Sequence, residues 1–369
     1  MTILVAFLLT WFSCASSEIA ETSQTIEVQD SIPMVDSIVP QDTVKFYSII
    51  GVGDMMLGTN YPSPKYLPPN GGSTMLADVK GYLRDADITF GNLEGTILDE
   101  GGTPKRCNNP DACYVFRSPE SYGKHFSEAG FDFLSIANNH SGDFGLTGRK
   151  KTKEVLDAEG IKYAGLAGSD EMAIVEKDGI KYGMCAFAPN SGTCDIRNLS
   201  YAKGIVKKLK EKVDIVIVSF HGGAEGPKNQ NVPKRSETYY GENRGDVHAF
   251  AHAVIDAGAD VVFGHGPHVS RAMELYNGRI IAYSLGNFCT YGRFNLNGPA
   301  GIAPMLKVWV DNEGKFQKGE IISIYQQKAH GPKIDPNKRA LKKIQELTNQ
   351  DFPNSGLEIH DDGQVTIGY

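Results

Sequence analysis

The stretch VVFGHGPHVSRAMELYNGRIIAYSLGNF, Val261 to Phe288, sets two apolar runs around a Gly/Pro turn that carries His265 and His268. Short apolar runs rich in Val and Ile, bounded by Gly and Pro, read as strands buried on both faces. Alone, two nearby histidines in such a turn read as solvated loop residues, and only partners from elsewhere in the chain make them metal ligands.

Working outward, the same pattern recurs in FYSIIGVG, ADITFGN, FDFLSIANN, YGMCAFAP, VDIVIVSFHGG, ADVVFGHG and RIIAYSLGNF, and most of these runs end in Gly, Asn, Asp or His. Between them lie helical segments such as SPESYGKHFSEAG, GLTGRKKTKEVLDAEG and DVHAFAHAVIDAGAD. This alternation predicts an α/β body, and in such folds ligands gather beyond the carboxyl ends of the strands. The segment DPNKRALKKIQELTNQDFPNSG predicts a further helix with Leu341, Ile344 and Leu347 on one face. No internal repeat is apparent.

The strand ends carry chemistry. Asp54 closes IIGVGD; Asn92 and Glu94 close ITFGNLE; Asn138, Asn139, His140 and Asp143 follow FLSIA; His221 follows VDIVIVSF. Asp54 alone and the Asn92/Glu94 pair alone read equally well as a turn or cap, whereas two amides and an imidazole in succession at Asn138 to His140 are unfavourable in a core and point more to a site. Carboxylate, amide oxygen and imidazole delivered together are the donors of a divalent metal site, and His140 adds a group able to carry protons. His265 and His268 then complete the set. His248 and His252 stand one helical turn apart in DVHAFAH. With no neighbouring HExxH acid they read as packing or helix-surface residues.

The blocks GVGDMMLG, GNLEG, ANNHSGDFG, SFHGGAEG, DAGADVVFGHGPHV and YNGRIIAYSLGNF, in this order from about Phe46 to about Phe288, resemble the bacterial capsule biosynthesis family CapA, also called the poly-γ-glutamate capsule synthesis family. That family is similar to calcineurin-like metallophosphoesterases. The resemblance implies a metallophosphoesterase-like four-layer α/β sandwich, two central mixed β-sheets flanked by helices. It also implies a metal site of Asp54, Glu94, Asn139, His221, His265 and His268, with His140 as general acid and Asp143 as its orienting carboxylate. Asn92, Asn138 and Asn287 are the residues expected to meet substrate, with holding the His265 turn the preferred role of Asn287.

The chain departs from the phosphoesterase pattern where Asp-x-His becomes Asp54-Met55-Met56 and where a bridging Asp becomes Asn92. Both changes remove ligands from the same ion. The expected cofactor is therefore one tight divalent ion, Mn, Zn or Fe, with a second held weakly if at all.

The apolar start MTILVAFLLTWFSCASS is too short to span a bilayer and reads as the core of an export signal. Cys14 is the lipidation candidate that would anchor the protein to a membrane. Residues 1–14 are then a leader, 15–44 a Ser/Thr/Glu/Asp-rich tether, 45–328 the sandwich, and 329–369 a C-terminal helix and tail. Six cysteines, Cys14 among them, leave an odd number in the body; Cys107 and Cys113 read as a disulfide or as free thiols.

A net charge of -7 gives no sign of a nucleic-acid groove. The expected partners are an anionic surface polymer or its precursor and other capsule-assembly proteins, in the cell envelope. Two readings stand. One is a metal-dependent hydrolase acting on phosphoester or amide bonds; the other is a polymer-binding assembly or export factor with a basic rim drawn from VKKLKEK, NVPKRS, Arg244, Arg271, Arg279 and Arg293.

Overall fold

The apolar runs form two β-sheets in the computed structural model, which describes residues 45–107, 113–328 and 330–368. Cys14, the leader and the tether lie outside the described residues. The larger sheet has ten strands: β1 (Tyr47–Met56), β2 (Ile88–Leu93), β5 (Phe133–Ser135), β6 (Lys162–Ala164), β15 (Asn287–Thr290), β16 (Ile302–Val310), β17 (Phe316–Gln327), β18 (Gly331–Ile334), β19 (Leu357–Ile359) and β20 (Gln364–Ile367). The smaller has six: β7 (Met172–Lys177), β8 (Ile180–Phe187), β9 (Ile215–His221), β12 (Val261–His265), β13 (Met273–Tyr276) and β14 (Arg279–Ala282). Two short ribbons pair β3 (Thr96–Ile97) with β4 (Arg117–Ser118) and β10 (Glu237–Tyr239) with β11 (Glu242–Gly245).

Both sheets are mixed. Strand β1 runs parallel to β2 and β15 and antiparallel to β16. In the smaller sheet β8, β9, β12 and β14 are parallel, with β7 and β13 antiparallel at the edges.

Alternate residues of each strand serve different cores, as a period of two requires. Tyr47 and Ile49 of β1 face Ile215 and Ile217 of β9 in a core between the sheets. Ile50 and Val52 face outward instead, onto α1 (Lys80–Leu83), α2 (Gly123–Ala129) and α3 (Gly145–Ala158), through Leu83, Phe126 and Leu156. On the far side, Val216, Val218 and Phe220 of β9 meet Ile205, Leu209, Phe250 and Val254 from α4 (Leu199–Lys210) and α5 (Val247–Asp256). The result is helices, sheet, sheet, helices, the expected four layers.

Close approach between the sheets depends on Gly51: a Cβ there would lie 2.6 Å from the Phe263 ring. That ring stacks on Phe90 at 5.5 Å and 10°.

The helix expected near the C-terminus is α6 (Arg339–Asp351), with Leu341 and Ile344 in the core between the sheets and Leu347 in the outer core. Its first turn is capped from outside by Asp335, whose carboxylate accepts from the backbone N–H groups of Asn337 and Arg339 at 3.1 Å and from the Arg339 guanidinium at 2.8 Å. The same segment adds β18 and β20 to β17, and β19 beyond them, which its sequence did not announce. Among the described residues no helix is long and apolar enough to cross a membrane.

Candidate metal centre

The carboxyl ends of β1, β2 and β5 in one sheet and of β9 and β12 in the other meet at a single place. Asp54 sits where β1 changes neighbour from β16 to β15, cross-strand from both Asn92 and Asn287. Gly53 makes this possible, since a Cβ there would lie 2.0 Å from the Gly286 carbonyl oxygen. The Asp54 N–H donates to that same oxygen at 2.8 Å. In the smaller sheet His221 and His265 are cross-strand neighbours at the ends of β9 and β12. His268 follows on a left-handed turn, φ 57°.

Asp54, Glu94, His221 and His265 are each 0–1% exposed. Asp54 Oδ2 lies 2.8 Å from His268 Nδ1 and Oδ1 lies 3.4 Å from His265 Nδ1. Glu94 Oε2 is 3.6 Å from His221 Nδ1, and Oε1 is 3.9 Å from both His268 Nε2 and His140 Nε2. One donor atom each from Asp54, Glu94 and His221 lie within 4.8 Å of one another.

The charges are strongly coupled. Burial would raise the Asp54 carboxyl, but the neighbouring imidazoles of His265 and His268 outweigh it and hold the group well below the usual carboxylate range. Burial, followed by the charge of Asp54, pushes Glu94 well above that range. Burial drives His221 well below its ordinary value. Burial also opposes the charged form of His268, yet its bond to Asp54 and the charges of Asp54 and Glu94 prevail, pushing it up to about 10.

The donor set fits a divalent cation. Glu94 Oε1, Asn139 Oδ1 and both ring nitrogens of His221 and of His265 are buried without a hydrogen-bond partner among the described residues. An unsatisfied buried polar atom costs about 1–3 kcal/mol. One ring nitrogen from each imidazole and Glu94 Oε1, gathered beside Asp54, would be satisfied together by a single cation.

Beside this cluster stands a relay that the sequence revealed only in part. His140 Nδ1 lies 2.8 Å from Asp143 Oδ2, which leaves Nε2 facing Glu94. Asp143 is fully buried, accepts from the Phe116 N–H at 2.6 Å, and meets Lys105 Nζ at 2.6 Å through Oδ1. Burial pulls His140 below its ordinary value; Asp143 opposes this and Lys105 adds to it. Lys105, which no spacing in the sequence marked, also donates to the Asn139 carbonyl at 3.1 Å. The Phe116 ring lies 4.2 Å from the His140 ring. Lys105 and Phe116 sit on either side of Cys107 and Cys113, which are joined as a disulfide.

Two expectations change, and for Asn287 the preferred turn-holding role is the one seen. The Asn92 amide donates to Asp54 Oδ1 at 2.8 Å and Glu94 Oε2 at 2.9 Å, and the Asn138 amide donates to Asn92 Oδ1 at 3.2 Å and the Leu93 carbonyl at 2.8 Å. Both donor groups, expected to meet substrate, are occupied inside the site, Asn92 on the carboxylates and Asn138 on Asn92 and Leu93, while Asn138 Oδ1 accepts from the His140 N–H at 3.0 Å. Asn287 donates to the carbonyls of His268 at 3.2 Å and Ala300 at 3.1 Å, so its amide holds the histidine turn.

Three of the four arginines singled out for a basic rim are paired with carboxylates. Arg271 is buried in a bidentate pair with Glu237, Arg279 is paired with Asp260, and Arg244 lies between Glu225 and Glu242. Of the four arginines singled out, only Arg293 stands over an aromatic surface, Tyr66 and Tyr114, without a carboxylate on it among the described residues.

Comparison with known proteins adds to this geometry. The family described as Bacterial capsule synthesis protein PGA_cap matches residues 48–291. The capsule biosynthesis protein CapA of Bacillus anthracis is 29% identical over 255 residues, covering 64% of this chain and 58% of that protein. The PGA biosynthesis protein CapA of Bacillus subtilis (strain 168) is 27% identical over 256 residues, covering 64% of this chain and 61% of that protein. The chain thus spans about three-fifths of the length of these relatives. Among solved structures, a novel phosphatase of Mycoplasma pneumoniae aligns with TM-score 0.49 at 15% identity, covering 80% of this chain and 96% of that one.

Proposed function

The chain belongs to the bacterial capsule synthesis protein family, and from that premise we propose that it is a metal-dependent hydrolase of the cell envelope acting on an anionic surface polymer of the poly-γ-glutamate type or on its precursor. In this reading the protein is exported, Cys14 provides a membrane anchor, and other capsule-assembly proteins are its partners. The observation that carries the proposal is the set of buried, unpartnered donor atoms on Glu94, Asn139, His221 and His265 beside the His140–Asp143 pair.

Asp54, Glu94, Asn139, His221, His265 and His268 would hold the cation. Asp54 and Glu94 together match the charge of one divalent ion, and Asp143 is already committed to Lys105, which supports a single tight ion. When bound, the ion supplies Lewis acidity toward a phosphoryl or carbonyl oxygen. Asp143 accepts from Nδ1–H of His140, so Nε2 is the atom that takes up a proton to form the imidazolium and hands it to a leaving group. Asn92 keeps both carboxylates aimed at the centre. The burial of Asp54, Glu94, His221 and His265 keeps bulk water from those groups and strengthens their contacts.

A second reading, polymer binding without cleavage, is favoured by one feature. A cavity of about 210 Å³ is lined by Lys65, Tyr66, Tyr291, Phe294 and Lys328. It adjoins the centre through Phe294, whose ring meets that of His268 edge-on at 5.4 Å. Cations on aromatic walls suit a carboxylate-bearing chain.

The test is turnover of a phosphomonoester, a phosphodiester and poly-γ-glutamate by the purified protein supplied with Mn²⁺, Zn²⁺ or Fe²⁺, beside His140→Ala. Metal-dependent turnover that His140→Ala lowers by about 10²–10⁴ supports the hydrolase. Polymer binding without turnover under any of these metals transfers the reading to the assembly factor.

A further inference from the structure

The two histidines set aside as packing residues acquire a third neighbour in the fold. His248 and His252 project from the same side of α5, and Glu274 reaches them from β13. One imidazole nitrogen from each and one Glu274 oxygen lie within 4.8 Å of one another. We propose that His248, His252 and Glu274 form a second metal site, specific for a zinc-class transition ion, that clamps α5 to the edge of the smaller sheet. No contact joins these side chains to the Asp54 cluster among the described residues, and the inference does not rest on the function proposed for that cluster.

Three observations support it. Glu274 is 9% exposed and its carboxylate is fixed by the Tyr283 hydroxyl, which donates to Oε2 at 2.6 Å, while His252 Nε2 lies 2.9 Å from the same oxygen. Both imidazoles are held by aromatic neighbours: His252 stacks on Tyr276 at 3.6 Å, and His248 lies parallel to Phe352 at 6.0 Å. A hydroxyl behind the carboxylate and rings packed in place are the supports that pre-orient metal ligands. The His248 and His252 rings also lie beside each other, centroids 4.1 Å apart, within reach of one ion.

Geometry and chemistry select the ion. Metal–nitrogen bonds of about 2.0–2.1 Å set tetrahedral ligand atoms about 3.4 Å apart, so the present spacing needs shifts of about 1 Å or less per group. Two imidazoles and one carboxylate suit Zn²⁺, Ni²⁺ or Cu²⁺ and are a poor shell for Ca²⁺ or Mg²⁺, which prefer oxygen. The competing description is a plain His252–Glu274 ion pair, in which His248 has no role.

Zn²⁺ binding to the full chain, by equilibrium dialysis, separates the two. The wild type is expected to hold one equivalent of Zn²⁺ more than His248→Gln/His252→Gln, and Tyr283→Phe to weaken that equivalent about 10- to 100-fold. An Asp54→Asn/His265→Ala variant should keep it, so failure at one centre is distinguishable from failure at the other. His248→Gln alone, at a half-buried ring, guards against a double variant that does not fold. Equal Zn²⁺ stoichiometry and affinity in wild type, His248→Gln and Glu274→Gln would overturn the proposal.

Discussion

Lys105 Nζ stands 2.6 Å from Asp143 Oδ1, the carboxylate oxygen that His140 does not use. The ammonium and the imidazole therefore share one fully buried carboxylate, and removing the ammonium alters how Asp143 holds the ring. Lys105→Met should lower kcat about tenfold, well short of the 10²–10⁴ expected for losing His140 itself. It should also cost about 2 kcal/mol of stability through the poorly compensated buried charge. Steady-state kinetics and urea unfolding of the same variant check both; an unchanged kcat would make Lys105 purely structural.

Glu94→Gln keeps the shape of the side chain and removes the carboxylate that a bound cation would hold in its ionised form. Metal affinity, measured by elemental analysis after dialysis against graded free metal, should fall at least tenfold, about 1.4 kcal/mol. The metal-free variant should be no less stable than the wild type, because burial and the Asp54 charge already disfavour the ionised form of Glu94. A variant that loses stability but retains metal would contradict the assigned ligand.

The Cys107–Cys113 disulfide ties together the two arms that touch Asp143, one through Lys105 and one through Phe116. Cys107→Ser/Cys113→Ser is expected to reduce kcat several-fold while leaving the sheets intact. Cys185, Cys194 and Cys289 are free and buried. Native thiol labelling should thus detect no reactive cysteine among the described residues before reduction and two afterwards. Full activity after reduction would detach the disulfide from the site.

Asp335 supplies the pH-dependent term. Burial works against its charge, but the Arg339 side chain and the N–H groups of Arg339 and Asn337 outweigh it and lower its pKa. A carboxyl depressed in the folded state contributes stability that is present above the unfolded value near 3.8 and lost as pH falls through the lower folded value. Asp335→Asn should cost about 1–2 kcal/mol at neutral pH. That difference should shrink as pH drops below about 4. Thermal unfolding across pH 3–7 tests it, and a pH-independent difference would refute the linkage.

Much of this architecture was legible because the strands are apolar on both faces and end abruptly in polar residues. Asp54, Glu94, His140, His221 and His265 each close or follow such a run, and parallel strands deliver their ends to one edge, so these residues were identifiable before any contact was known. Lys105 was not, because it lies in a stretch without periodic pattern and reaches Asp143 only through the fold. Asn92 and Asn138 were recognised as site residues but given the wrong neighbours, since an amide's partners depend on strand register. Arg271 looked like surface charge because its carboxylate, Glu237, comes from a distant ribbon. Strands β19 and β20 are short and half polar, too brief for a period of two to be distinguished from a turn.

The position of β1 has a consequence for how the molecule is made. It is the first strand of the body, yet it lies in the middle of the larger sheet, joined on one side to β2 and on the other to β15 and β16, where Tyr47 pairs with Val310. Until the chain has been synthesised through β16, one edge of this wholly buried strand has no native partner and stays open to pairing with another copy. Contacts so distant in sequence make assembly slow and concentrate the danger of aggregation in the unfinished chain. A protein cut before Ile302 would therefore be lost to misassembly, even though every residue proposed to bind metal at Asp54 or at Glu274 lies upstream of the cut.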